Sequence, residues 1–417
     1  MYKRTLLIMS VVVLIMLAAC SSSSNSSSEE ATIKYAYWDK NQEKMLKTIV
    51  EEFNKDNPEI NVKLELTPYD QYFTKLDAAA SGGDLPDVFW MNGPNFVKYA
   101  SNDMIEPIDT RIEDDSLDLS LYPEALLDLY QYDEKRYALP KDYDTVGLWY
   151  NKKLFDEADL DYPDETWEWD DLVENAKALT NAEEDVYGIA AYIQDEQATY
   201  YNTIFANGGY IISDDQKESG FDDPNTIAGL QKYYDLIDKY KVSPTHAQTE
   251  TTEASSMFES GKVAMIFDAS YKIPQFKENE YTNKNADVAV LPEMTKRSNV
   301  IHGLGNVISA NSKNKKAAWE FTKFLSSEKA ADIQADSGII PAYEGAEEAW
   351  LDSAPNFNLQ AFLDMADVAE PFPVSKDTSK WTTIMQDNIA KAWSGQISIE
   401  EASKNINKQM EKILANE

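Results

Sequence analysis

The sequence has 417 residues, of which 43% are hydrophobic, and its 38 basic and 73 acidic side chains give a formal net charge of −35. A field of that sign repels nucleic acid and anionic lipid, so we expect neither as a partner. The only cysteine is Cys20, which excludes disulfide bonds, thiolate catalysis and sulfur-ligated metal sites from the rest of the chain.

Residues 1–19 have the pattern of a secretory signal. Lys3 and Arg4 precede an apolar stretch over 6–16, which is followed by Leu-Ala-Ala-Cys at 17–20. The apolar stretch is shorter than the about 20 residues that a membrane-spanning helix needs. A cysteine at the cleavage point resembles the lipobox of bacterial lipoproteins, which implies a diacylglycerol thioether on Cys20. We therefore predict a signal peptide over 1–19, a lipidated serine-rich tether over 20–30, and attachment to the extracellular face of the cell membrane through the lipid alone.

The next part of the chain predicts a β-α-β-α-β order. Strands are expected over 32–37, 60–66 and 88–91, and helices over 41–55 and 69–80. Such an order forms a parallel sheet covered by helices, and sheets of this kind bind ligands at the carboxyl ends of their strands. The candidate ligand contacts that follow these strands are Trp38, Asp39, Asp70, Asn92 and Gly93. Trp38 is equally suited to cap the core, and Asp70 to stabilise a helix N-terminus.

The alternation of elements continues to the C-terminus. Extended segments are predicted over 137–140, 145–150, 188–192, 263–267 and 288–291, and helices over 169–179, 227–240, 317–325 and from 398 onwards. The stretch 106–121 is acidic and is expected to be a loop. The roughly 390 residues after the tether exceed one ordinary hydrophobic core, which predicts two lobes.

Short motifs occur along the whole of this region: GDLPDV at 83–88, YALP at 137–140, LWYNKKLF at 148–155, TWEW at 166–169, NGG at 207–209, FESGKVAM at 258–265, AAWEF at 317–321 and GIIPA at 338–342. Together they resemble the family 1 extracellular solute-binding proteins, the maltose-binding-like group. Each motif alone is weakly specific, but their order from residue 33 to the C-terminus is specific.

The resemblance implies an α/β, two-lobed periplasmic-binding-protein-like fold (type II), with parallel-rich sheets covered by helices and hinge strands between the lobes. Lobe 1 is expected over 31–145 and 292–342, and lobe 2 over 146–291 and 343–417, with crossings near 145–148, 290–293 and after 341. The implied function is the solute-binding component of an ABC importer, which captures a sugar or oligosaccharide between the lobes and delivers it to a membrane permease. We expect a monomer with no cofactor and no metal site.

The resemblance adds candidate ligand contacts. Asp144 matches a position at which an acid binds sugar hydroxyls. Asp268 and Tyr271 follow a predicted strand where the family commonly has G-x-W, so Tyr271 replaces the usual stacking tryptophan. Trp381 matches a second stacking position. The candidates are completed by Tyr200, Tyr201, Gly303 and Glu370.

Other functions remain as alternatives. Carboxylates around aromatic side chains would suit a polyamine, and the paired tyrosines at 200–201 a ferric ion. The acids are scattered along the chain, however, which favours a solvated acidic surface over a cation site. A carbohydrate-active enzyme would need two paired carboxylates, but the sequence has no HExxH, GxSxG or P-loop motif. Its two histidines, His246 and His302, lie in unrelated contexts typical of surface or satisfied polar residues, so we expect no enzyme.

Overall fold

The computed structural model describes residues 30–417, so the predicted signal peptide, Cys20 and nearly all of the tether lie outside the described residues. The strands are β1 Ala31–Tyr37, β2 Ile60–Leu66, β3 Val88–Asn92, β4 Gln131–Tyr132, β5 Lys135–Arg136, β6 Ala138–Asp144, β7 Val146–Asn151, β8 Met265–Ala269, β9 Ala286–Ala289, β10 Asn299–Ile308 and β11 Ala369–Pro371.

The α-helices are α1 Glu43–Asp56, α2 Tyr69–Gly82, α3 Gly93–Ser101, α4 Asp109–Asp115, α5 Glu124–Asp128, α6 Lys152–Glu157, α7 Trp169–Leu179, α8 Tyr200–Ala206, α9 Pro224–Asp238, α10 His246–Thr251, α11 Ala254–Glu259, α12 Ile273–Glu278, α13 Glu280–Asn285, α14 Lys315–Leu325, α15 Glu328–Asp336, α16 Glu347–Ser353, α17 Gln360–Ala366, α18 Thr378–Trp393 and α19 Ile399–Leu414. Within 30–417, the helices are all too short or too polar to span a bilayer.

The first sheet contains the strands predicted from the start of the chain. Its order is β11-β10-β3-β1-β2, and β6 also pairs with β10. β1 runs parallel to β2 and to β3, so the predicted β-α-β-α-β unit is confirmed. α1 covers this sheet because its apolar side chains recur at helical spacing. The buried members of that stripe are Met45, Leu46, Ile49 and Phe53.

The second sheet is small and antiparallel throughout, in the order β8-β7-β9. The expectation of parallel-rich sheets is therefore right for the first sheet only. All six residues of β7 are buried, because a hydrophobic core lies on each face of the sheet. Leu148 belongs to one core and Trp149 to the other, as the alternation of side chains along a strand requires.

The chain passes three times between the two halves of the fold, one built around β1, β2, β3 and β6 and the other around β7, β8 and β9. The first passage is at Thr145, between β6 and β7. The second is within β10, which pairs with β11 over 299–301 and with β3 over 304–308. The third is near 341, where Ala342 N donates a hydrogen bond to Lys141 O at 3.2 Å.

The second passage comes later than the predicted 290–293, so the assignment of 292–300 to lobe 1 is corrected. Backbone hydrogen bonds hold this segment against a loop and a helix that pack on the second sheet: Glu293 N donates to Trp167 O at 2.9 Å, and Thr295 N donates to Ala206 O, at the end of α8, at 3.0 Å. Val300 is also buried in the core there. We call 31–144 with 303–340 the first lobe, and 146–301 with 343–417 the second lobe.

Two local predictions are also corrected. The segment 188–192 is extended but meets β8 only at an isolated parallel bridge, where Ala190 N donates to Met265 O at 3.0 Å. It forms no regular strand, because Ile189 N donates to Val242 O and Ala191 N donates to Ser243 Oγ, which lie outside any strand. The acidic stretch 106–121 is partly helical, as α4, because its Ile112 packs into the core of the first lobe.

Candidate ligand-binding site

A cavity of about 800 Å³ lies between the two lobes. Its first-lobe wall consists of residues that follow β1, β2 and β3, together with the end of β6. Its second-lobe wall consists of residues within 192–197, 249–255 and 268–275. The cavity therefore lies at the carboxyl ends of the strands that the sequence predicts, as expected for an α/β sheet.

Seven of the predicted ligand contacts line this cavity, namely Trp38, Asp39, Asp70, Asn92, Asp144, Asp268 and Tyr271. Six others do not line it, namely Gly93, Tyr200, Tyr201, Gly303, Glu370 and Trp381. The structure thus brings together the candidates that stand at strand ends and at the first passage between the sheets.

Three aromatic candidates lie in the core of the second lobe. Tyr200, Tyr201 and Trp381 are each 0% exposed. The Trp381 indole N–H donates to Ser375 Oγ at 2.9 Å, which holds the ring away from the cavity. α18 reaches the cavity instead through Gln386, which lies beyond Trp381 on that helix. The predicted ligand contacts of these three side chains are therefore corrected to core positions, where their rings are fully removed from water.

The other three candidates have structural partners nearby. Glu370 forms an ion pair with Lys296 at 2.5 Å on the outer surface. Gly303 allows β6 and β10 to pair, since a Cβ there would lie 2.6 Å from Asp142 O. Gly93 N donates to His302 Nε2 at 3.2 Å. His302 itself lines the cavity, and burial lowers the pKa of its imidazole to about 4, so it is neutral at physiological pH.

An aromatic surface forms part of the first-lobe wall. Trp38 packs edge-on against Tyr72 and Trp90, with ring centroids 5.0 Å away in both cases, and against Tyr69 at 5.5 Å. Tyr69 is 52% exposed, and its hydroxyl accepts a hydrogen bond from Asn92 Nδ2 at 3.2 Å. The buried rings fix the orientation of Trp38, while Tyr69 offers an open apolar face to the cavity.

Carboxylates dominate the polar lining of the cavity. Nine of them line it, namely Asp39, Asp70, Asp142, Asp144, Asp195, Glu196, Glu250, Glu253 and Asp268, against a single lysine, Lys272. The nearby Lys141 is buried and already has partners. Its ammonium group donates hydrogen bonds to Asp142 and to Gln42 Oε1, and lies 4.6 Å from the centre of the Trp90 ring. The wall of the cavity is therefore strongly acidic.

Burial raises the pKa of the carboxyl groups closest to the passages. Desolvation, and then the charge of Asp142, raise the pKa of Asp144 to about 8, although Ser270 Oγ donates to Asp144 Oδ1 at 2.9 Å. Desolvation raises the pKa of Asp268 to about 7, and Asp195 adds to this while Lys272 opposes it. The neutral, protonated forms of both groups are therefore substantially populated near neutral pH.

Two polar groups in this wall lack partners among residues 30–417. Asp268 Oδ1 accepts a hydrogen bond from Ala269 N at 2.9 Å, but its buried Oδ2 accepts none. The buried Gln197 Nε2 donates none. Buried polar groups are normally hydrogen-bonded. A ligand that both donates and accepts hydrogen bonds would satisfy this pair.

The second-lobe segment 192–197 was missed by the sequence-based prediction. It contributes Asp195 and Glu196 to the cavity. Asp195 accepts a hydrogen bond from the Tyr271 hydroxyl and fixes the position of that ring. The sequence did indicate this segment, because it directly follows the extended residues 188–192. Ligands bind at the carboxyl ends of strands, which is the reason Asp39 was predicted, and the same reasoning applies to Asp195 and Glu196.

The carboxyl groups of the cavity predict a pH-dependent stability. We expect the free energy of unfolding to fall as pH rises from about 6.5 to about 8.5, by roughly 1.4 kcal/mol per pH unit for each extra proton held by the folded state. The raised pKa values of Asp144 and Asp268 mean that the folded protein keeps protons that the unfolded chain releases near pH 4. His302 is uncharged in both states over most of this window.

Thermal or urea unfolding at constant ionic strength measures this slope. Asp268→Asn should make the decrease of stability with pH less steep. Asp161→Asn, at an exposed position outside the cavity, should leave the slope unchanged. A stability that is constant across the window would show that both carboxyl groups are already ionised in the folded protein.

The chain is similar to several known proteins. Residues 37–332 match the family described as bacterial extracellular solute-binding protein. A binding protein of Brucella abortus is 27% identical over 329 residues, which cover 77% of this chain and 78% of the relative. The maltotriose-binding protein of Pyrococcus abyssi is 27% identical over 311 residues, or 72% of this chain and 64% of the relative.

A solved structure matches nearly the whole fold. The ABC substrate-binding protein of Listeria monocytogenes in complex with cycloalternan has a TM-score of 0.87 and 29% identity to this chain. The match covers 93% of this chain and 99% of that protein.

Proposed function

Since the chain belongs to the bacterial extracellular solute-binding protein family, we propose that it is the solute-binding component of an ABC importer. In this proposal it captures a sugar or oligosaccharide between its lobes and delivers it to a membrane permease. The observation that carries the proposal is the cavity itself, in which exposed aromatic faces and unpartnered hydrogen-bonding groups occur together. The maltotriose and cycloalternan of the two relatives support the same ligand class.

The chemistry of the cavity suits a saccharide. A sugar offers hydroxyl groups, which both donate and accept hydrogen bonds, and flat patches of C–H. Tyr69 and Tyr271 supply ring faces from opposite lobes, while Asp268 Oδ2 and Gln197 Nε2 supply an acceptor and a donor. The volume of about 800 Å³ lies within the range of about 300–1,000 Å³ that is usual for sites of small ligands.

Capture by closure of the lobes follows from the way the lobes are connected. Both lobes line the cavity, and within residues 30–417 the chain connects the two lobes only at Thr145, within β10 and near 341. Such connections allow a hinge motion, and a ligand that contacts both lobes shifts the population towards the closed state. The hydrogen bond between Ser270 Oγ of the second lobe and Asp144 of the first is one contact that such a motion would change.

The proposed function also includes a location at the cell surface and a monomeric state. We propose that the protein is monomeric and is held at the extracellular face of the membrane by lipid on Cys20. It binds its ligand without altering it. The extracellular family supports this location. The mass of the N-terminal peptide of membrane-extracted protein tests the lipid, since a peptide that starts at Cys20 without added mass would contradict it.

Binding is tested with soluble protein that starts at Glu29. In a thermal-shift screen of oligosaccharides, polyamines and ferric salts, we expect a saccharide to raise the melting temperature. A ligand present at one hundred times its dissociation constant adds about 2.7 kcal/mol to stability. Trp38→Ala should remove the shift, because it removes the ring that backs Tyr69. A response to polyamine or iron with no response to any saccharide would overturn the sugar assignment.

A further inference from the structure

The cavity between the lobes carries far more acidic than basic side chains. Nine carboxylates line it, and Lys272 is the only lysine or arginine among the lining residues. The sequence favours a scattered acidic surface, but the structure gathers these acids from both lobes around one space. A cluster of acids alone does not identify a ligand. The charge of the ligand is therefore inferred from the positions and hydrogen bonds of individual carboxyl groups.

The acids converge at the end of the cavity next to the first passage. Asp144 is 9% exposed and Asp268 is 1% exposed. The charge of Asp195 acts on both of them, which places it within electrostatic range of each. Three carboxyl groups from the two lobes thus surround one region, and the Tyr271 hydroxyl donates to Asp195 beside it.

A second observation shows that this region is incomplete. Asp268 Oδ2 is buried and has no hydrogen-bond partner in the described part of the chain. The charges of Lys141 and Lys272 act on Asp144 and Asp268 respectively. Neither ammonium group forms a hydrogen bond to them, because Lys141 donates to Asp142 and Gln42, and Lys272 donates to Gln275 Oε1 at 3.3 Å. An unpartnered carboxylate oxygen at a cluster of like charges requires a hydrogen-bond donor, and a positively charged donor satisfies it best.

Closure of the lobes around the ligand increases the need for a positively charged hydrogen-bond donor. When the lobes exclude water, carboxylates that lie near one another repel more strongly, because the effective dielectric constant falls. In the free protein Asp144 and Asp268 reduce this repulsion by holding protons near neutral pH, and a neutral ligand leaves them in that state. An ammonium group supplies both the opposite charge and several N–H donors, so it binds the ionised carboxylates directly.

On these grounds, and resting on the proposed function, we infer that the cleft takes a saccharide that carries a basic amine. The ammonium group lies between Asp144, Asp195 and Asp268, and the sugar rings lie against Tyr69 and Tyr271. The ligand class is therefore an aminosugar oligomer or an oligosaccharide analogue with an amine in its chain.

Matched pairs of ligands test this inference by isothermal titration calorimetry. The first pair is acarbose, which has a basic nitrogen, and maltotetraose, a neutral ligand of the same length. The second pair is the glucosamine trimer and its N-acetylated form. We expect the amine-bearing member of at least one pair to bind at least about tenfold more tightly, which corresponds to about 1.4 kcal/mol. This advantage should shrink as salt is raised.

A variant separates recognition of charge from general damage to the site. Asp268→Asn should weaken binding of the amine-bearing member at least about tenfold more than binding of the neutral member, because structural damage, or loss of a hydrogen bond that both ligands make, would weaken both members alike. Asp161→Asn is the matched control outside the cavity and should preserve the advantage. Equal or tighter binding of the neutral members would overturn the inference and leave the proposed function standing. Binding of spermidine with no binding of any saccharide would overturn both.

Discussion

Replacing Tyr271 by alanine is expected to weaken saccharide binding by about 100-fold, which is about 2.7 kcal/mol. The side chain follows β8, lines the cavity, and donates its hydroxyl hydrogen to Asp195. Alanine removes the aromatic face and leaves a carboxylate of the cavity wall without this donor. The loss of an aromatic contact contributes about 0.5–1.5 kcal/mol, and the loss of a hydrogen bond to a charged group contributes about 1.5–3 kcal/mol.

Calorimetric titration of purified variants measures this loss. Tyr271→Phe keeps the ring and removes only the hydroxyl, so we expect a loss of about tenfold. Tyr162→Ala is a matched control, because Tyr162 lies on the same lobe, is 39% exposed, and donates to Asp156 away from the cavity. Full affinity in a correctly folded Tyr271→Ala protein would show that the ligand does not contact this wall.

Replacing Trp149 by alanine is expected to lower the free energy of unfolding by about 3–5 kcal/mol. Trp149 lies in the central strand of the second sheet and is 0% exposed. Its ring contacts Phe276, Phe357 and Phe362 at centroid distances of 4.9, 5.1 and 5.8 Å. Two of these rings come from the segment that follows the third passage, so the tryptophan joins that returning segment to the sheet.

Urea unfolding followed by circular dichroism measures this cost. The indole Nε1 has no hydrogen-bond partner within 30–417, so the loss comes from packing and from the cavity that alanine leaves. Trp149→Phe keeps an aromatic ring in the same place and should cost less than half as much. A loss below about 1 kcal/mol for Trp149→Ala would mean that the surrounding phenylalanines close the space.

The sequence predicts most elements because their patterns are local. Ile60 and Val62 alternate with polar residues, so β2 is visible, and Ser398 caps α19 by accepting a hydrogen bond from Glu401 N at 3.1 Å. The segment 188–192 looks equally like a strand. Only Ala190 pairs with β8, however, because the amides of Ile189 and Ala191 donate to Val242 and Ser243, which lie some fifty residues away in sequence. The pattern of side chains carries no information about such distant partners.

The predicted site residues also fall into those that local patterns place correctly and those that depend on distant packing. Residues chosen because they follow a strand, such as Trp38, Asp39 and Asn92, do line the cavity. Trp381 was chosen by similarity to a family position, and it lies in the core because the orientation of α18 turns that face inward. The orientation of a helix about its axis depends on what it packs against. A motif match gives the position along the chain but not the direction of the side chain.

The position of β10 has a consequence for the order of folding. This strand pairs with both β3 and β6, so the first sheet stays incomplete until residue 308 has been synthesised. The hydrogen bond from the Tyr35 hydroxyl to Asn306 Oδ1 spans 271 residues of sequence. Contacts between such distant parts of the chain slow folding. The N-terminal part of the chain therefore lacks an interior strand of its own sheet until about three quarters of the chain has been synthesised, which delays the completion of its core.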